Sequence, residues 1–160
     1  MTACQQLCRL FKAEYEIATR LLKVMTDERS VLVAIDADKV QQAVVAKQPL
    51  IIQLEQLSKQ RERLLTSSGF PAGKAGLTAF IDNQTAEDKQ ALMQWVKRTK
   101  AVARQCQESN QINGGIVNVN RQYLYRAMGV LRGKDTVVAA YGPGGEYTHQ
   151  VVRQPLIGRV

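Results

Sequence analysis

The sequence predicts an all-α fold: an elongated antiparallel bundle of about three long helices, followed by an irregular C-terminal tail. Along three long segments, core-type residues recur at alternating spacings of four and three, as in helices packed side by side. Gly133 and the run Tyr-Gly-Pro-Gly-Gly at 141–145 then end the pattern, because such residues do not continue a helix. We therefore expect a helical bundle domain over residues 1–132 and a flexible, glycine-rich tail over 133–160.

The first segment carries nine residues with this spacing, which form a seam. They are Leu7, Phe11, Glu14, Ala18, Leu21, Met25, Glu28, Leu32 and Ile35. A second row widens the stripe on one side, and it consists of Leu10, Ile17, Val24 and Val31. So broad an apolar band predicts contact with two neighbouring helices. Asp36-Ala37-Asp38 then supplies a turn and an N-cap for the second helix.

The second segment has the same repeat, flanked by Leu50, Leu57 and Leu64. Its seam residues are Val40, Val44, Lys47, Ile51, Leu54, Ser58, Arg61 and Leu65. Pro49 lies inside the segment and predicts a kink or a short break near Gln48, because proline removes one helical hydrogen bond. The helix is expected to end at Ser67-Ser68-Gly69.

Two of these seam residues are cations, which is unusual for a core position. We expect the stems of Lys47 and Arg61 to pack while their charged ends reach water or pair with Glu14 and Glu28 of the first helix. The alternative is a recognition site inside a groove, which the sequence favours less.

Residues 69–84 form a glycine-rich connection with about one helical turn at 77–81. Thr85-Ala86-Glu87-Asp88 resembles a capping box that opens the third helix, and Trp95 is expected to anchor the core. The predicted seam of this helix is Leu92, Val96, Thr99, Ala103, Cys106, Asn110, Asn113, Val117, Asn120, Leu124, Ala127 and Leu131.

The third helix changes character midway. Asn110, Asn113 and Asn120 take seam positions, Gly114-Gly115 interrupts the helix-forming residues, and a second apolar stripe runs beside the first. That stripe consists of Ile112, Ile116, Val119 and Tyr123. Close helix approach at the glycines, with buried asparagines that fix register, is one explanation. The sequence favours the other, in which three helices leave this half-helix uncovered and a helix of a partner protein binds it.

Several function classes find no support in the composition. No apolar run approaches the roughly 20 residues of a membrane span, and the N-terminus lacks the features of a signal peptide, so we expect a cytoplasmic protein without membrane insertion. The three cysteines are expected to be small buried hydrophobes. The single histidine, His149, has no cluster of cysteines or carboxylates near it, so we expect no enzyme, no catalytic residue, no metal and no cofactor.

The net charge of +8 is concentrated on the third helix. The cations there are Lys97, Arg98, Lys100, Arg104, Arg121, Arg126 and Arg132, and Glu108 opposes them. A basic helix can bind phosphates, an anionic membrane or an acidic partner helix, or it can be a solvated face that keeps the protein soluble. The sequence favours the last two about equally and disfavours nucleic acid.

The tail contains two segments of strand character, 136–141 and 146–152, on either side of Gly142-Pro143-Gly144-Gly145. A hairpin can form there, and an isolated hairpin is only marginally stable in water. The tail therefore either docks on the bundle or becomes ordered when a partner binds it, and we favour ordering on binding.

Three pieces of the chain resemble the FlgN-type flagellar export chaperones. The first is Lys47-Gln48-Pro49-Leu50-Ile51-Ile52-Gln53-Leu54-Glu55-Gln56-Leu57 followed by Arg61. The second is Asn110-Gln111-Ile112-Asn113-Gly114, and the third is Tyr141-Gly142 with Gly145. Their order and spacing together carry the resemblance over nearly the whole chain.

This resemblance implies a cytoplasmic chaperone of a type III export route. Its clients would be the hook–filament junction proteins, whose terminal helices it would sequester against early assembly and degradation before delivering them to the export gate. By the same resemblance, the client-binding residues would be Asn110, Ile112, Asn113, Ile116, Val119, Tyr123 and Leu124. Tyr141, Gly142 and Gly145 would contact the export gate.

Two other classes of protein stay open. A basic helical protein that binds nucleic acid would show steep salt dependence, although few aromatic residues are available for base stacking. A homo-oligomeric coiled-coil scaffold would be a stable dimer or larger assembly, and self-association of a chaperone is also compatible with the sequence.

Overall fold

The computed structural model describes residues 1–131, 137–141 and 147–151 of the chain. Its elements are α1 (Ala3–Ala34), α2 (Ala37–Ser67), α3 (Gly73–Asp82), α4 (Ala86–Leu131), β1 (Val137–Tyr141) and β2 (Tyr147–Val151). The predicted helical bundle is confirmed. The chain divides into two compact units, 1–114 and 115–160, whereas the domain boundary expected at 132/133 borders residues that are not described and stays a prediction.

The seam of α1 is confirmed at eight of its nine positions. Leu7, Phe11, Glu14, Ala18, Leu21, Met25, Glu28 and Leu32 are all buried. Ile35 is the exception: it is exposed and caps the helix in the left-handed conformation, with φ of 57°. A capping box between Thr2 and Gln5 begins the helix, since each side chain bonds the other's backbone N–H.

α2 runs antiparallel to α1, and Asp36 caps it as predicted by accepting a hydrogen bond from Lys39 N. The helix continues through Pro49, so the short break expected near Gln48 is not observed. Val44 and Ile51 are exposed, which corrects their placement in the seam. The half-buried residues are instead Ala43 and Leu50, one position earlier in each repeat.

The connection after α2 is more helical than the sequence indicates. Instead of one turn at 77–81, α3 covers ten residues, and its Phe80 joins the main core. This core consists of Cys4, Leu7, Phe11, Leu65, Phe80, Leu92 and Val96, and the half-buried Trp95 packs against it. Gly76 lies against the backbone of Pro71 so closely that a Cβ atom would not fit, which explains a glycine inside so short a helix.

α4 begins after Thr85, whose hydroxyl accepts a hydrogen bond from Asp88 N. The helix is not interrupted at Gly114-Gly115. Beyond it, β1 and β2 form a two-stranded antiparallel sheet whose register runs from Val137 opposite Val151 to Tyr141 opposite Tyr147. The antiparallel strand pairing of the hairpin considered from the sequence is therefore present, while residues 142–146 between the strands lie outside the described residues.

Among the described residues, no helix is long and apolar enough to cross a membrane.

Candidate functional site

Two partly buried ion pairs hold α2 against α1. Lys47 Nζ lies 2.7 Å from Glu28 Oε1, and the Arg61 guanidinium lies 2.9 Å from Glu14 Oε2. Both pairs were predicted from the cations at seam positions. Because each carboxylate is buried on α1 and meets a cation of α2, the pairs fix the antiparallel register of the two helices. Lys47 and Arg61 thus serve the bundle and do not form a recognition groove.

The Glu14 carboxylate is in a strained electrostatic position. Burial raises its pKa above the usual 4.5, Arg61 opposes that rise, and the nearby Glu62 adds to it. Among the described residues, Glu14 Oε1 is buried without a hydrogen-bond partner, whereas Arg61 also bonds Ser58 and lies 5.0 Å above the Phe11 ring. The arrangement orients Arg61 between Glu14, Ser58 and the Phe11 ring.

α4 is held to α1 by polar side chains that recur every seven residues. Thr99 Oγ1 donates to Phe11 O at 3.0 Å, Cys106 Sγ to Ala18 O at 3.3 Å, and Asn113 Nδ2 to Met25 O at 2.8 Å. The donor and acceptor numbers differ by 88 each time, so the two helices are parallel. A heptad of polar contacts of this kind specifies one register between helices.

Asn113 is the centre of the last of these layers. Its Nδ2 also donates to Glu28 Oε2 at 2.9 Å, and its Oδ1 accepts from Arg29 Nε at 3.2 Å. Arg29 in turn donates to Ser109 Oγ at 3.0 Å. With Lys47 on the other oxygen of Glu28, the layer joins α1, α2 and α4. Asn113 is only 4% exposed, so its side chain is committed to the bundle.

Beyond Gly115, α4 presents large apolar side chains to solvent. Val119 is 64% exposed and Tyr123 is 71% exposed. The whole set, which we call the α4 apolar face, consists of Val117, Val119, Tyr123, Leu124, Tyr125, Met128 and Leu131. These side chains surround more than half of the helix circumference. Val117, Leu124 and Leu131 were expected in the seam, and their exposure corrects that expectation. Arg121 borders the face, with its guanidinium 5.8 Å from the Tyr125 ring.

The seven predicted client-binding residues therefore differ in their surroundings. In the unit 1–114, Asn110 and Ile112 are exposed and Asn113 is buried. In the unit 115–160, Ile116 is half-buried, and Val119, Tyr123 and Leu124 are exposed. Tyr125 and Met128 are exposed beside these residues and were not predicted from the sequence, although large side chains near the end of an amphipathic helix are a signal that a sequence offers.

The glycine pair in α4 is not explained by close packing. A Cβ atom added at Gly114 or at Gly115 would meet no other atom within 4 Å among the described residues. Close helix approach at the glycines is therefore not observed, whereas the buried asparagine that fixes register, predicted together with it, is found at Asn113. The pair lies where the compact unit 1–114 ends, and each glycine lowers the stability of an exposed helix interior.

Of the three residues expected to contact the export gate, Tyr141 lies in the described part of the chain. Tyr141 is the last residue of β1, opposite Tyr147. Gly142 and Gly145 lie outside the described residues, so their assignment stays a prediction.

The cysteines have the inert character expected of small buried hydrophobes. Cys4, Cys8, Asp88 and Trp95 line a cavity of about 450 Å³ between α1 and α4. Burial raises the pKa of the Cys4 thiol to about 11 and also raises the pKa of the Cys8 and Cys106 thiols. A thiol that stays protonated at neutral pH is a poor nucleophile. In the described ranges no group of three metal-binding side chains occurs.

Comparison with known proteins gives one family and one solved structure. The model of the family described as "FlgN protein" matches residues 1–149. The crystal structure of a flagella synthesis protein FlgN from Pseudomonas aeruginosa is similar to this chain at 28% sequence identity, with a TM-score of 0.62. The similarity covers 71% of this chain and 87% of that one. No curated protein matches the chain.

Proposed function

The chain belongs to the FlgN family, and on that premise we propose that it is a flagellar export chaperone. Its clients are the hook–filament junction proteins, and it binds their terminal helical segments. By covering these segments it prevents their premature assembly and degradation until export. It then delivers the client to the cytoplasmic part of the export gate.

The α4 apolar face is the observation that carries this proposal. Monomeric proteins seldom expose so many neighbouring large apolar side chains without a function. Burying one such side chain stabilises a complex by roughly 1.5–3 kcal/mol, and an amphipathic helix that docks in parallel with α4 buries several at once. Exposed apolar side chains along a helix suit the apolar face of an amphipathic client helix.

We assign client binding to Ile116, Val119, Tyr123 and Leu124 on the second half of α4, with Asn110 and Ile112 as exposed residues of the preceding unit. Asn113 acts differently, because its amide already bonds Glu28 and Met25. Its contribution is to hold α4 in register, so a substitution there changes the bundle rather than the client contact.

The test is a calorimetric titration with the C-terminal helical segment of a hook–filament junction protein, at low and at high salt. We expect saturable one-to-one binding that persists at high salt, with a negative heat-capacity change. Val119→Asp should weaken it by more than about tenfold, since a charge must then be desolvated in the contact.

Val33→Asp is the matched control, because Val33 is 67% exposed on α1 and Val119 is 64% exposed on α4. Equal affinities for the two variants would show that the client docks elsewhere. Single-stranded RNA is the second control, because Arg121 beside Tyr125 also suits a base. RNA binding that exceeds peptide binding and is lost with salt would favour the nucleic-acid alternative.

We further propose that Tyr141, Gly142 and Gly145 contact the export gate. The resemblance supports this role, as does the position of Tyr141 at the end of β1. Tyr141→Ala should leave the affinity for the client peptide unchanged and reduce export of junction proteins from cells. A loss of client affinity in this variant would contradict the division of labour between α4 and the hairpin.

A further inference from the structure

The outward side of α2 carries a second apolar stripe that the proposed function does not use. Val45 is 61% exposed and Ile52 is 50% exposed, and Val44 and Ile51 beside them are also exposed. From residue 40 to residue 58 the charged residues are Lys47, which is paired with Glu28, and Glu55. Contiguous exposed apolar side chains with so few charges among them mark an interaction surface.

The stripe has charged residues of opposite sign at its two ends. Asp38, Val45, Ile52 and Lys59 follow one another at intervals of seven residues, so they lie on one side of the helix along about 32 Å. All four side chains are exposed. In the part of the chain that the structure describes, neither Asp38 nor Lys59 forms an ion pair.

This order is self-complementary under a two-fold axis. If two copies of α2 lie antiparallel with the axis between Gln48 and Pro49, Val45 of each copy faces Ile52 of the other. In the same register, Asp38 of each copy faces Lys59 of the other. Two apolar contacts are thus flanked by two ion pairs, one at each end of the contact. A spacing of seven residues suits helices that cross at a small angle.

Pro49 leaves one backbone carbonyl near the centre of the stripe free to accept a hydrogen bond. Because proline has no N–H, the carbonyl of Val45 lacks its usual donor within the helix. In the two-fold register this carbonyl lies level with Gln48 of the second copy, whose amide can donate to it. Pro49 removes a hydrogen bond from α2, and in the antiparallel dimer Gln48 of the second copy can replace that bond.

We propose that this side of α2 is the contact between two copies of the chain, in an antiparallel two-fold dimer. A second copy is favoured over an unrelated partner because the charge at each end of the stripe is the counter-charge of the other end. The contact is one helix pair, which is smaller than the roughly 1,200–2,000 Å² of a standard stable interface. The dimer is therefore weak and depends on protein concentration.

Charge reversal with analytical ultracentrifugation tests this dimer without any client. Asp38→Lys alone places two lysines opposite each other at both ends, and Lys59→Asp alone places two aspartates there. Each single variant should dimerise roughly tenfold more weakly, because two attractions become two repulsions. The double variant, Asp38→Lys with Lys59→Asp, should recover the dimerisation of the unmodified chain.

Mixing the two single variants is the sharper measurement. The Asp38→Lys chain has lysine at both positions, and the Lys59→Asp chain has aspartate at both. The mixture should therefore form heterodimers while each variant alone stays largely monomeric. Circular dichroism of each variant checks that the helices are retained, since Asp38 lies in the first turn of α2.

A monomer at every accessible concentration would overturn the proposal, and so would a dimer whose strength ignores the charge reversals. Failure of the mixture to form heterodimers would also overturn it, because the antiparallel register requires them. Because the readout is the sedimentation of the chain alone, none of these outcomes bears on client binding by α4.

Discussion

At the scale of single residues, neighbouring polar positions of α4 have opposite roles. Asn110 and Asn113 are the same residue type within one turn, yet Asn110 is exposed and Asn113 makes contacts with Met25, Glu28 and Arg29. Hydropathy cannot separate them, because it assigns both the same value. Their side-chain environments differ, so substitutions at the two positions should change the free energy of unfolding by different amounts.

Asn113→Ala should lower the free energy of unfolding by about 2 kcal/mol. The substitution leaves Glu28 Oε2 and Arg29 without their amide partner inside the bundle, and an unpaired buried polar group is costly. Asn110→Ala is the matched control, and it should change the unfolding free energy by less than about 0.5 kcal/mol. Urea denaturation followed by circular dichroism measures both; equal losses would show that the layer around Asn113 adds nothing to stability.

The cation–carboxylate pairs between α1 and α2 could be predicted from residue types and their positions in the repeat. Lys47 and Arg61 stand out in an apolar repeat, and the equal spacing of Glu14 and Glu28 on α1 predicts their partners. The structure adds what spacing cannot contain: Arg61 is shared by Glu14, Ser58 and Glu62. Glu62 Oε2 in turn accepts a hydrogen bond from Gly73 N at 2.6 Å, which ties α2 to the beginning of α3.

At the scale of elements, α1 could be predicted almost completely and α4 only in part. In α1 each interior position differs strongly in hydropathy from its neighbours, so the phase of the repeat is clear. In α4 the first seam residues, Leu92, Val96 and Thr99, are buried as predicted. After them the repeat shifts, because Val102 and Ser109 are buried, each one position before the predicted Ala103 and Asn110. Serine and asparagine are both polar, so the phase is set by hydrogen bonds to α1 that no propensity encodes.

For α3 the sequence predicts a shorter helix than the one observed. Gly73 and Gly76 lower its intrinsic helix propensity, and the sequence therefore predicts about one turn. The helix covers ten residues because Phe80 packs into the core and stacks edge-on against Phe70, with ring centroids 5.2 Å apart. Tertiary packing commonly overrides propensity in short helices.

The glycine pair of α4 gives a prediction at this scale. Replacing both Gly114 and Gly115 with alanine should raise the stability of the helix by about 2 kcal/mol, because each glycine costs about 1 kcal/mol relative to alanine. Both sites are open, so the added methyl groups meet nothing within 4 Å among the described residues. Urea denaturation should show a higher midpoint.

The same variant reports on the purpose of the pair. If the only role of the glycines is to weaken the helix at this point, the double alanine variant should change its affinity for the client peptide as well as its urea midpoint. A lower midpoint in the double variant would instead show that the glycines make a contact that alanine disrupts. Ala103→Gly, at another exposed position of α4, is the control for the size of a single glycine effect.

At the scale of the whole molecule, stability and proposed function belong to different parts of the chain. Every residue of the main core lies between Cys4 and Val96, and the polar layer around Asn113 completes the packing of the unit 1–114. The α4 apolar face begins only beyond Gly115. A protein organised in this way can expose apolar side chains to a client without weakening its own core.

This separation predicts the behaviour of a chain shortened to residues 1–114. It should remain helical and unfold cooperatively, because the core, the two α1–α2 ion pairs and the heptad of polar contacts are all retained. It should lose binding of the client peptide, because Val119, Tyr123 and Leu124 are removed. Circular dichroism during thermal unfolding, and calorimetric titration with the same peptide, measure the two properties independently.

The two possible failures have different meanings. An unfolded 1–114 chain would show that the core between Cys4 and Val96 is insufficient without the rest of α4. A folded 1–114 chain that binds the peptide with undiminished affinity would place the client on the bundle and remove the α4 apolar face from the mechanism. The full-length Val119→Asp variant separates these cases, because it retains all of α4 and alters only the exposed face.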